Sequence, residues 1–144
     1  MKPFRIVFSG KPVGFSPLKF SEENKKYLPD RTYVGWVKEA RAHVDVICEA
    51  AGITKPFDEA LFLRITSFSA SWKNFSRTQN RMAATDEFRP LFGPSLLDIE
   101  RAVYDACKDL VFEDFNQIIG VELNKKFAHE ITPRVEVVFS PWPR

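Results

Sequence analysis

Residues 93–127 read GPSLLDIERAVYDACKDLVFEDFNQIIGVELNKKF. In the first half, Ile99, Ala102, Val103, Ala106, Cys107 and Leu110 recur at intervals of three and four, which makes one apolar helical face. The spacing predicts a helix over residues 95–110. Ser95 stands where an N-cap belongs, and Asp98 follows three residues later, where its carboxylate can answer the Ser95 amide. Its charge also suits the positive end of the helix. Leu97, Arg101, Tyr104, Asp105 and Lys108 fall on a second strip of the same helix. An acidic turn follows, and Ile118–Phe127 then reads as a strand. A helix that leads through a turn into a strand places the chain among mixed folds.

Working outward, Phe4–Ser9 alternates like a strand, and Gly10, Pro12, Gly14, Ser16 and Pro17 break it. Residues 20–28 are polar, with Lys25 and Lys26 in their middle. Asp30 is placed to cap a helix that carries Tyr33, Trp36, Val37, Ala40, Val44, Ile47 and Cys48 at helical spacing through Ala51, with Gly52 positioned to stop it. Ala60–Ser69 is a second strand. Residues 70–92 read as a mixed, loop-like stretch that holds Lys73, Arg77, Arg81 and Arg89 beside Trp72 and Phe75. Arg134–Ser140 is a last strand, reached through His129–Pro133. The expected order is β-α-β-α-β-β: one α/β or α+β domain over residues 1–144, with a mixed sheet.

Composition narrows the function classes. With 21 basic against 19 acidic residues, the formal charge is +2, far from the excess of a strong non-specific DNA binder, so any nucleic-acid role rests on local patches. No apolar run approaches the roughly 18 residues of a membrane span, and MKPFRIVFSG is too polar for a secretory signal. Cys48 and Cys107 belong to no CxxC pair and fit a reducing cytoplasm; His43 and His129 lack ligand spacing. The 14 phenylalanines are many for 144 residues and are expected mostly in the core.

The carboxylates around the helix start pose the sharpest chemical question. A two-metal nuclease needs two or three acids converging within about 4 Å of shared ions. Asp98 and Glu100 form a D-x-E pair, and Asp114 is available as the third. Acidic pairs near helix starts are common, and capping accounts for Ser95 and Asp98 without a metal.

Several stretches resemble the RusA-like Holliday junction resolvases of phages and prophages. GKPVGFSPLKF (10–20) resembles that family's GKPVxKGRPRF opening, and YLPDRTYVGWVKEAR (27–41) its YTPxxTxxYExxVR segment. PSLLDIERAVYDAC (94–107) is similar to PDxDNLxKAVxDAL, VFEDFNQIIGVELNKKF (111–127) to VYxDDxQIxxxxxxK, and PRVEVVF (133–139) to the last strand. The resemblance spans nearly the whole chain in order. It implies a small mixed fold, a homodimer, binding to four-way DNA junctions and Mg²⁺-dependent cutting. Residue by residue, however, the positions where the family places metal-binding aspartates are Ser95, Leu97 and Phe115 here. The motif asparagine falls on Asp98, the motif lysine on Arg101, the following aspartate on Asp105, and the later acid and glutamine on Asp114 and Gln117. Leu and Phe offer no lone pair to a hard cation, and a neutral Ser is a poor substitute. The basic opening loop is reduced to Phe15-Ser16-Pro17-Leu18-Lys19.

Three expectations follow. The first is a pseudo-resolvase that binds branched DNA without cutting, through Lys19, Lys73, Arg77, Arg81, Arg101, Lys125 and Lys126, with Trp72 and Phe75 stacking on bases. The second is a protein-interaction module whose added apolar residues, Phe15, Leu18, Leu97 and Phe115, either serve a partner or repack into a larger core. The third is an active nuclease with a displaced Mg²⁺ site at Asp98, Glu100 and Asp114. Outside that third reading no metal or other cofactor is expected.

Overall fold

A computed structural model describes residues 2–71, 75–128 and 132–143. The chain runs β1 (Phe4–Ser9), β2 (Lys19–Ser21), β3 (Lys26–Leu28), α1 (Arg31–Ala50), β4 (Leu61–Ser69), α2 (Arg77–Ala84), α3 (Leu96–Cys107), a 3-10 turn (Phe115–Gln117), β5 (Ile118–Phe127) and β6 (Arg134–Pro141). The main sheet has the order β1-β6-β4-β5. β6 is antiparallel to both β1 and β4, whereas β4 and β5 are parallel. The sheet is therefore mixed, as expected, and the parallel pair is joined by the crossover that holds α2 and α3.

Register explains the two faces of this sheet. Ile6 pairs with Val137, Val137 with Ile65 and Ile65 with Leu123; a neighbouring row runs Phe4–Phe139–Leu63–Val121. These rows meet Ala40, Val44 and Cys48 of α1 and Ile99, Val103, Ala106 and Cys107 of α3 in one core. The alternate residues form a charged opposite face, where Arg64 pairs with Glu122 at 3.1 Å and Arg134 with Glu136 at 3.0 Å, joined by Arg5.

α1 begins as the sequence implies. The Asp30 carboxylate accepts from the Thr32 and Tyr33 amides, Ser16 Oγ donates to it at 2.6 Å and Lys19 Nζ lies 3.0 Å away. At the other end Gly52 has φ +75°, a left-handed conformation that glycine adopts without a Cβ penalty, and the Ile53 amide reaches back to Cys48 O at 2.8 Å.

Three local expectations are corrected. The stretch read only as polar over 20–28, together with Lys19, forms a small hairpin, β2–β3, turned through Lys25 at φ +51°. The stretch read as a loop over 70–92 contains α2, whose Ser76 and Gln79 form a capping box. α3 stops at Cys107 rather than Leu110, because Lys108 turns extended and Asp109 adopts φ +68°.

Candidate functional site

α3 and the turn after it carry the site. Ser95 Oγ accepts from the Asp98 amide at 3.1 Å and caps the start of the helix. Ile99, Ala102, Val103, Ala106 and Cys107 seal the inner face. Leu97, Glu100, Arg101 and Tyr104 are thereby turned outward, where they line an open groove of about 420 Å³ with Phe115. Leu97 is 74% exposed and Phe115 49%. The alternative of a larger, repacked core is thus not what these two residues built. Phe115 rests on Tyr104 and Phe112 at ring separations of 5.8 and 5.7 Å, and Lys108 Nζ stands 5.7 Å above its ring.

The polar groups around the groove are already engaged with one another. Tyr104 donates to Glu100 at 2.8 Å, and Tyr33 donates to Asp105 at 2.5 Å. Burial, reinforced by the facing carboxylate, raises both phenols above their ordinary range, so they remain donors. Arg101 pairs with Asp105 at 3.4 Å and lies 4.6 Å over the Phe15 ring. Phe15 packs edge-on against Tyr33 at 5.5 Å, and its amide donates to Asp98 O at 2.8 Å. The opening loop is thereby fixed beside the groove. Leu18 is exposed further along this loop.

The acids do not assemble into a metal cluster. Among the described residues no group of three His, Cys, Asp or Glu side chains is placed to hold an ion. Asp114 caps the 3-10 turn through the Asn116 amide at 2.8 Å, and Glu100 is held by Tyr104. Asp98, Glu100 and Asp114 are therefore not brought together, and the convergence required by a displaced site is not formed. Gln117, matched to the motif glutamine, instead ties the turn to the segment that leads into β4: its amide donates to Phe57 O at 2.7 Å and Glu59 O at 3.0 Å.

The basic candidates are dispersed in role. Lys19 pairs with Asp30, Lys126 with Asp86 at 3.1 Å, and Lys125 donates to Phe92 O at 2.9 Å. Arg77 and Arg81 stand exposed on α2. Lys73 and Trp72 lie outside the described residues, while Phe75 packs against Phe88 and Phe127, each at 5.2 Å, as part of an aromatic cluster. The sequence places Leu97, Arg101, Tyr104, Asp105 and Lys108 on one helical strip, but it does not mark Tyr104 as functional or foretell the whole Tyr33–Asp105–Arg101–Phe15 chain. The i, i+4 spacing of Arg101 and Asp105 was the one visible signal of that chain. No family model and no curated protein matches this sequence.

Proposed function

We propose that this chain is a RusA-like domain that does not cut DNA and that docks a protein partner through the groove between α3 and the 3-10 turn. One observation carries the reading. Leu97 and Phe115, at two of the three positions where the resemblance expects metal-binding acids, are exposed on the same groove. Apolar side chains in such a place gain by being covered; fully burying each contributes on the order of 1.5–3 kcal/mol. Glu100 and Arg101 at the rim add polar specificity. Electrostatics favours a protein over DNA at this surface. Residues 95–117 hold Asp98, Glu100, Asp105, Asp109, Glu113 and Asp114 against only Arg101 and Lys108, and phosphates need the reverse balance.

Branched DNA bound without cutting is the second reading, favoured by the exposed Arg77 and Arg81 of α2. The resemblance further suggests a homodimer, whose two-fold axis would match a symmetric partner. Two buried free cysteines fit a cytoplasmic setting. Affinity capture from the source cell separates the two readings. For protein docking, capture of one defined protein is lost in Leu97→Glu, survives nuclease treatment and is retained in Arg77→Ala/Arg81→Ala. Capture that is abolished by nuclease and by the double arginine variant, but not by Leu97→Glu, supports DNA.

A further inference from the structure

A second depression, of about 360 Å³, lies between α1 and the end of β1, lined by Phe8, Ser9, Trp36, Glu39, Ala40 and His43. Trp36, Glu39, Ala40 and His43 share one face of α1 at helical spacing. Phe8 packs 5.8 Å from Trp36 and 6.1 Å from His43, so the pocket has aromatic walls. Glu39 brings a carboxylate, and among the described residues no lysine or arginine lines the pocket. Aromatic rings beside an uncompensated carboxylate suit a cationic side chain.

The same place offers backbone. Among the described residues β1 is a terminal strand of the sheet, paired with β6 alone. His43 Nε2 donates to Val7 O at 2.8 Å, so that carbonyl points away from β6. In an antiparallel pair, alternate residues direct N–H and C=O to the same side. Arg5 and Ser9 therefore present their backbone groups along the same outer edge as Val7. An edge of this kind accepts an added strand once the His43 ring swings off Val7 O, and the adjacent pocket selects its side chain.

We propose that the outer edge of β1 and the Trp36–Glu39 pocket together receive an extended peptide segment, with an arginine of that segment inserted into the pocket. Main-chain hydrogen bonds to Arg5 and Ser9 hold the segment, and the guanidinium meets the aromatic walls and the Glu39 carboxylate. This site is separate from the α3 groove and does not depend on what occupies that groove.

The test uses the full chain, ¹⁵N-labelled, titrated with a capped five-residue peptide that has threonine and valine on each side of a central arginine. The control peptide replaces arginine by citrulline, which has nearly the same shape without the charge. The expected result is a saturable shift of the Trp36 indole N–H and of the Arg5 and Ser9 amides, with the citrulline peptide weaker by about fivefold. Glu39→Gln, an exposed substitution, should erase the difference between the peptides while leaving the melting temperature unchanged. Equal affinity of the two peptides for the unsubstituted protein, shifts confined to other surfaces, or no shift with either peptide at millimolar concentration overturns the proposal.

Discussion

Leu97 and Phe115 occupy one groove but differ in what holds them. Leu97 is 74% exposed, so Leu97→Asp should leave stability within about 0.5 kcal/mol of the original, as surface changes do. Phe115 is half-buried against Tyr104 and Phe112, and Phe115→Ala should cost about 1–2 kcal/mol. Urea unfolding of both variants checks the contrast; equal losses would mean that Leu97 is packed after all. At Asp30 the argument concerns pH. The Ser16 hydroxyl and then Lys19 hold its carboxyl down to about 2, below the ordinary 3.8. A depressed folded-state value contributes stability that is complete above the unfolded value and is lost as pH falls towards the folded one. Asp30→Asn, which keeps a capping side chain, should thus lower stability at neutral pH and flatten the loss of stability between about pH 4 and 2. Glu136 is lowered as well: burial pushes its carboxyl up, but the hydrogen bonds from Arg134 and Arg5 outweigh that. It titrates in both proteins, so the difference between them reports Asp30 alone.

Among the elements, the opening loop is fixed most tightly where it crosses α3. A Cβ on Gly14 would stand 2.6 Å from Pro94 Cβ and 2.9 Å from Asp98 Cβ, both close to the backbone and unable to swing away. Gly14→Ala should therefore destabilise the fold by about 1–3 kcal/mol and loosen Phe15 from Arg101, readable as a lower melting temperature. The elements that sequence patterning exposed are those with a long apolar periodicity. β4 and β6 alternate over 9 and 8 residues, and α1 carries its stripe through 20. The β2–β3 hairpin has two strands of three residues, mostly exposed, so no alternation could build up. α2 buries only Ala83 and lacks a stripe for the same reason, although its Ser-x-x-Gln cap was present in the sequence at residues 76–79. The site was legible only along α3 itself. The contacts that tie Arg101 and Asp105 to Tyr33 and Phe15 join three separate elements, and their meeting is decided by packing that no local pattern encodes.

Across the whole molecule, a net charge of +2 conceals an uneven distribution. The α3 region is acidic, and Lys19, Arg101 and Lys126 are each paired with a carboxylate. Association with duplex DNA should accordingly be weak and nearly abolished by physiological salt; tight, salt-resistant binding in a gel shift would count against protein docking. Light scattering at micromolar concentration should give twice the chain mass if the dimer suggested by the resemblance forms, and the mass of one chain if it does not. The central claim, that the cleft expected to hold metal is now an apolar docking groove, is tested most directly by incubating the purified protein with a synthetic four-way DNA junction in Mg²⁺ or Mn²⁺. The account predicts an uncut junction at all protein concentrations. Symmetric incision of the junction that disappears in Asp98→Asn would contradict it and place the chemistry on the acids of α3.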